Sequence, residues 1–159
     1  MTKRHKRNLN YAGLLALLLL LIIGFVSPIY YSNIMGEKIS TSTDTWFNVI
    51  LDIFGSESLT YTNFNNVFYL MFLSFCIILI LYFLSGVSLL KYKWAKYASI
   101  LTFVYFFLGV LSIAIFNREN AQKLFGFEMS HMGMGIGIWL VPIVGVIYLI
   151  YCKKINRLF

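Results

Sequence analysis

Four long stretches of this sequence contain no Asp, Glu, Lys, Arg or His, and this pattern restricts the fold more than any other feature. They run over residues 11–31, 67–90, 97–116 and 132–152. Each has the roughly 20 apolar residues that an α-helix needs to cross a hydrocarbon core of about 30 Å. Only 12% of all residues are charged, whereas soluble domains carry about 25%. The sequence therefore predicts an all-α integral membrane protein with a bundle of four transmembrane helices.

The four predicted spans take up most of the chain and leave a single membrane domain over residues 1–159. The predicted connections are a first outer loop at 36–66, an inner loop at 91–96 and a second outer loop at 117–130. The inner loop is so short that spans 2 and 3 must form an antiparallel hairpin. A hydroxyl group in hydrocarbon needs a hydrogen-bond partner, so polar side chains of this hairpin should face each other. The expected pairs are Tyr82 with Thr102 and Ser85 with Ser99.

Charged residues are sorted by sign between the two sides of the predicted bundle. The amino-terminal tail, the loop at 91–96 and the carboxyl-terminal tail contain ten basic residues and no acidic one. The other two connections contain all six acidic residues. Because Lys and Arg are retained on the cytoplasmic side during insertion, we expect both termini to be cytoplasmic. The expected location is a plasma membrane, and the abundance of Ile, Asn, Lys, Phe and Tyr favours a bacterial cytoplasmic membrane.

The net charge of +7 does not indicate nucleic-acid binding, because the basic residues are divided among three short segments. A nucleic-acid interface needs basic residues gathered on one presented surface. The expected partners are therefore the lipid bilayer and either another membrane protein or a second copy of this chain.

The first outer loop contains a helical pattern. Asp44, Asn48 and Asp52 recur every four residues, and apolar side chains fill the opposite side. Asp44 can cap the first turn, and Gly55 can end the last one. We expect a short amphipathic helix that lies on the outer membrane surface or folds over the mouth of the bundle. Its apolar residues form the candidate partner-binding set: Trp46, Phe47, Ile50, Ile53 and Phe54.

Span 4 contains small residues at regular steps. Gly133, Gly137, Val141 and Gly145 follow one another at intervals of four residues. In a helix, such a stripe lets a second helix backbone approach closely, which is how helices associate in lipid. We therefore expect span 4 to be the buried central helix of the bundle.

The sequence contains few side chains that could perform chemistry. No carboxylate, basic side chain or His lies inside a predicted span, although proton-coupled carriers and ion pumps need one there. The chain also lacks H-E-x-x-H, G-x-S-x-G and a phosphate-binding glycine loop. We therefore predict no catalytic residue and no cofactor. One cluster at the mouth of span 4 has side chains of the types that bind Cu(I), although Met as a core filler and His as an interfacial residue explain it more simply. Its members are Glu128, His131, Met132 and Met134.

Three kinds of function stay open. The leading hypothesis is a noncatalytic protein that acts by helix and outer-loop contacts, as an accessory subunit of a membrane complex or as an immunity protein against a toxin or peptide. The second is an oligomeric channel or facilitator without titratable groups in its spans. The third is an enzyme that modifies lipid in the outer leaflet, and it would use Asp44, Asp52, Glu128 or His131.

Overall fold

The computed structural model describes residues 3–35, 40–54, 66–87, 92–122 and 129–157. In these ranges the helices are α1 (Lys3–Val26), α2 (Trp46–Phe54), α3 (Asn66–Gly86), α4 (Tyr92–Gln122) and α5 (Ile136–Arg157). The strands are β1 (Tyr30–Met35), β2 (Ser40–Asp44) and β3 (Met129–Met134). The described chain is mostly helical, as a helical membrane protein should be, but it also contains a small sheet that the all-α prediction lacked.

The four long helices form a bundle. Helix α3 packs against α1 and α4, and α5 packs against α4 and α1, so the order around the bundle is α1, α3, α4, α5. Leu20, Ile78, Tyr105 and Val141 have no accessible surface and mark its core, one from each helix. The outward faces of the same helices carry exposed Leu, Ile, Val and Phe side chains. Apolar side chains both inside and outside the bundle are expected for helices that lipid surrounds.

Three helical segments in the described ranges are long and apolar enough to cross a membrane. They are Asn66–Gly86, Lys96–Arg118 and Ile136–Lys154. The apolar part of α1, Asn10–Val26, is shorter. These segments support a membrane location for the protein.

The first predicted span, residues 11–31, is wrong at its end. Helix α1 stops at Val26, because Pro28 disfavours helical geometry in the residue before it and cannot donate a helical hydrogen bond. Tyr30 and Tyr31 then belong to strand β1. The end of the helix is therefore also the start of the sheet.

The sheet is antiparallel, with strand order β2-β1-β3. Tyr30 of the central strand lies opposite Asp44 on one side and opposite Met134 on the other. The strand β1 follows α1, and β3 precedes α5, so their pairing holds the end of α1 beside the start of α5. We call the end of the bundle that carries the sheet the sheet end. The opposite end is the basic end, marked by the exposed side chains of Arg7, Lys96, Lys153 and Lys154.

The predicted fourth span also begins too early. Residues 129–134 form β3, and α5 starts only at Ile136. Gly133 is therefore a strand residue and is not part of the predicted helical stripe. The predicted inner loop at 91–96 is also displaced, because α3 ends at Gly86 and α4 already begins at Tyr92. At its other end α4 continues to Gln122, into the predicted second outer loop.

A helix is present over Trp46–Phe54, in the region where the amphipathic pattern predicted one. Its capping residue differs from the prediction. The Asn48 backbone N–H donates to Thr45 Oγ1 at 3.3 Å, which is the arrangement of a helix N-cap. Asp44 lies one residue earlier and belongs to β2.

Candidate contact surfaces

Trp46 fastens α2 to the bundle. Its side chain is only 2% exposed and lies among the rings of Phe68, Phe72 and Phe75, with ring centroids 5.2 to 5.5 Å away. The indole Nε1–H donates a hydrogen bond to the Tyr105 hydroxyl oxygen at 3.0 Å. The sequence predicted that Trp46 belongs to a partner-binding surface, but its side chain is buried. Trp46 is an interior residue that holds α2 against α3 and α4.

The opposite face of α2 is exposed. Phe47 is 39% exposed and Leu51 52% exposed, and residues four apart on a helix are neighbours on its surface. The ring of Phe25, at the end of α1, lies 4.8 Å from the ring of Phe47 and is 53% exposed. We call Phe25, Phe47 and Leu51 the cap ridge. It is an apolar surface at the sheet end, and the buried Trp46 beside it keeps it in place.

Of the three remaining members of the predicted partner-binding set, the structure describes the side chain of only one. Ile50 is half-buried between the two faces of α2. Ile53 and Phe54 belong to α2, but their side chains lie outside the described part of the structure. Sequence reasoning missed Phe25, because it belongs to a predicted span and comes to α2 only through the tertiary fold.

Gly135 and Gly137 allow the α1–β1 turn to lie directly against the start of α5. The Gly135 N–H donates to the Ile29 carbonyl at 2.7 Å, and the Gly137 N–H donates to the Pro28 carbonyl at 2.8 Å. A Cβ atom at Gly135 would overlap the backbone of Pro28 and Ile29. Gly137 therefore packs against this turn. It lies where α5 meets the sheet, whereas the sequence predicted that it packs against another helix. Gly133 packs under the ring of Tyr31 in the adjacent strand.

Two close helix crossings hold the middle and the basic end of the bundle together. Gly145 on α5 faces Thr102 on α4 so closely that a Cβ atom would overlap the Thr102 side chain. A Cβ at Gly13 on α1 would lie 3.1 Å from the backbone nitrogen of Gly86 on α3. Small residues at such crossings let helix backbones approach where lipid removes the hydrophobic driving force.

Buried hydroxyl groups form a cluster where α3, α4 and α5 meet. The hydroxyls of Tyr82 and Ser99 are 2.9 Å apart, and those of Ser85 and Tyr148 are 3.1 Å apart. Thr102 donates back to the Ser99 carbonyl at 2.6 Å. The sequence grouped four of these residues correctly by location but paired Tyr82 with Thr102 and Ser85 with Ser99. The hydrogen bonds instead pair Tyr82 with Ser99 and Ser85 with Tyr148, and Thr102 bonds within its own helix.

Few reactive side chains are brought together among the residues that the structure describes. Apart from tyrosines, Trp46 and the free thiol of Cys152, its buried side chains with polar atoms are all Ser or Thr, and the described residues bring no three His, Cys, Asp or Glu together. Met134, a candidate metal ligand, packs against the apolar core. His131 and Met132 lie in β3, but their side chains, like all of Glu128, lie outside the description.

Comparison with protein-family models, with curated proteins and with solved structures gives no match for this chain. The protein is therefore classified by its structure alone. It is a helical protein with three segments in the described ranges that can span a membrane, and with an α2-and-sheet cap at one end of its bundle.

Proposed function

We propose that this chain is a noncatalytic multi-pass protein that acts by contact with another membrane protein. As an accessory subunit it would stabilise or position a larger complex, and as an immunity protein it would hold a toxin or peptide at the outer leaflet. The observation that carries this proposal is the cap ridge, an exposed apolar surface formed by α2 and the end of α1, with α2 held against the bundle by Trp46.

The rigidity of the cap supports a binding role. A surface held in one conformation loses little conformational entropy when a partner binds. The ridge has this support, since Trp46 is surrounded by aromatic rings and hydrogen-bonded to Tyr105. The sheet fixes the neighbouring end of α1 through the pairing of Tyr30 with Met134. A helix that merely rested on the membrane surface would need neither anchor.

The buried hydroxyl cluster supports a noncatalytic role. Its hydrogen bonds run between helices of the same chain, as between Tyr82 and Ser99 or between Ser85 and Tyr148. Such bonds orient transmembrane helices and contribute about 0.6 kcal/mol each. Helix packing therefore accounts for the cluster, and no substrate is needed to explain it.

We further propose four spans with both termini cytoplasmic, in a plasma membrane and most simply a bacterial cytoplasmic one. Helix α1 would be the fourth span. Its apolar part, Asn10–Val26, measures about 25 Å at 1.5 Å per residue, and a short deficit against the bilayer is met by local thinning or by snorkelling side chains. Arg7 precedes this part at the basic end, where Lys96, Lys153 and Lys154 are also exposed. Cytoplasmic retention of basic residues accounts for this grouping.

Co-purification tests the contact proposal. Full-length protein solubilised from its native membrane should retain one stoichiometric partner, and Phe47→Asn or Leu51→Asn should release it. Val87→Asn is the matched control, because Val87 has an exposure similar to that of Phe47 but lies in the turn after α3, at the basic end of the bundle. Trp46→Phe is a second control that keeps α2 docked. Retention of the partner in the ridge variants, or its loss in all variants equally, would contradict the proposal.

Activity measurements on the purified protein separate the two other hypotheses. Solute or ion flux through liposomes that contain this chain alone would favour an oligomeric channel or facilitator. Lipid turnover that disappears in Asp52→Asn or His131→Ala would favour an outer-leaflet enzyme. The contact proposal predicts neither activity.

A further inference from the structure

A groove runs between α1 and α5 at the basic end of the bundle. Its volume is about 320 Å³. Ala12 and Ala16 are the only small residues in its lining, and Ala16 is buried, so they lie at its floor. The bulky lining residues are Tyr11, Leu15, Leu19, Val144, Ile147, Tyr148 and Tyr151. Most of this lining is aliphatic or aromatic, so the groove is suited to a hydrocarbon ligand.

The length of the groove suits a hydrocarbon chain that lies within one leaflet. From Tyr11 to Leu19 it extends about 12 Å along α1 at 1.5 Å per residue, which is most of one leaflet of a core about 30 Å thick. A single acyl chain can therefore lie along its apolar lining.

The charge at the open end of the groove is positive. Arg7 lies one helical turn before Tyr11, and Lys154 lies one turn after Tyr151, on the same helix faces as these two lining residues. Both basic side chains are exposed. The sequences of α1 and α5 contain no Asp or Glu at all. A negatively charged group at this end would thus meet positive charge from both walls.

We propose that this groove binds an anionic phospholipid, with one acyl chain between α1 and α5 and the phosphate near Arg7 and Lys154. Basic pockets between transmembrane helices are known to hold acidic headgroups, and each nearby basic residue contributes an attraction of the order of thermal energy or more. The site is separate from the cap ridge at the sheet end, so it stands or falls independently of the proposed partner.

Native mass spectrometry of the full chain in detergent tests the headgroup part of the proposal. The protein is mixed with equal amounts of phosphatidylglycerol and phosphatidylcholine that carry identical acyl chains. The unmodified chain should bind phosphatidylglycerol preferentially. Arg7→Gln and Lys154→Gln should each lower the ratio of the two bound lipids by about fivefold. Lys96→Gln should leave it unchanged, because Lys96 is an exposed base at the same end of the bundle but lies on α4.

A matched pair of variants on α1 tests the acyl-chain part. Leu19→Trp fills the groove and should reduce the occupancy of both lipids at least fivefold. Leu18→Trp adds the same ring at a neighbouring exposed position that does not line the groove, and it should have no effect. Equal binding of the two lipids, an equal response to all three charge variants, or equal occupancy in the two Trp variants would overturn the proposal. So would a dimer that Leu19→Trp alone dissociates, because a second copy would then occupy the groove.

Discussion

Removal of the Trp46 side chain should weaken the docking of α2 against the bundle. Trp46 is almost fully buried among aromatic rings and donates to Tyr105. Truncation of a buried Trp to Ala costs about 3–5 kcal/mol, because it removes the buried surface and leaves a cavity. We expect Trp46→Ala to lower the free energy of unfolding by this amount. Trp46→Phe retains a ring and should lose only about 1–2 kcal/mol, mostly through the missing indole donor.

The hydrogen bond itself can be isolated by a double-mutant cycle. Tyr105→Phe leaves the Trp46 Nε1–H buried without its acceptor and should cost about 1–3 kcal/mol. When Trp46→Phe and Tyr105→Phe are combined, the donor and the acceptor disappear together. The double variant should therefore be more stable than the sum of the two single effects predicts, by about 1 kcal/mol.

Reversible unfolding in mixed micelles of a mild detergent and sodium dodecyl sulfate, followed by far-ultraviolet circular dichroism, measures these differences. Trp139 is exposed on α5, so Trp139→Phe provides the control and should change stability by less than about 0.5 kcal/mol. A loss below about 1 kcal/mol for Trp46→Ala would refute the interior position of Trp46. Strict additivity of the Phe variants would refute the hydrogen bond.

Three further predictions concern the packing of the cap and the bundle, and each is measured by the same unfolding assay. Gly135→Ala should lower the free energy of unfolding by about 1–3 kcal/mol, because its Cβ would overlap rigid backbone. Gly133→Ala should lower it less, since only the exposed side chain of Tyr31 must move. Equal effects would contradict the close turn. Gly145→Ala should cost a similar 1–3 kcal/mol, and Thr102→Ala in the same chain should restore part of the loss; no restoration would place the clash elsewhere. Tyr82→Phe should cost only about 0.6 kcal/mol, and a loss above about 2 kcal/mol would show that the hydroxyl cluster does more than orient helices.

The long helices are predictable because lipid imposes a simple local requirement on them. A span must be apolar over about 20 residues whatever it packs against, so charge-free runs such as 67–90 and 97–116 reveal it. The helix at Trp46–Phe54 was also visible, through the four-residue spacing of its polar side chains. These signals depend only on neighbouring residues.

The sheet was missed partly because β1 and β3 come from distant parts of the chain, although β2 pairs with β1 locally. Tyr30 and Met134 meet only after the bundle brings α1 and α5 together, and the Ser, Asn and Gly residues in these strands have weak strand preference. One local signal existed. Gly133, Gly135 and Gly137 alternate with larger apolar residues, which is the period of a strand. The four-residue spacing led to Gly133 being assigned to the same helix as Gly137 and Gly145, although Gly133 lies in β3 and the other two lie in α5.

Whether the Trp46 side chain points into the bundle could not be predicted from the sequence of α2 alone. Trp46 and Phe47 are adjacent and both belong to the apolar side of the pattern, yet one is buried and the other is exposed. The choice depends on the Tyr105 hydroxyl, which accepts the indole hydrogen bond from the middle of α4. Sequence reasoning therefore recognised the helix but not which of its apolar side chains are exposed.

Site-specific photocrosslinking in the native membrane tests the central claim most directly. A photoreactive phenylalanine analogue at Phe47, on the cap ridge, is compared with the same analogue at Phe107, which is exposed on the outer face of α4. The contact proposal predicts a crosslink from position 47 to one specific protein, lost when Leu51→Asn is added, and only lipid products from position 107. Lipid products alone from both positions would contradict it.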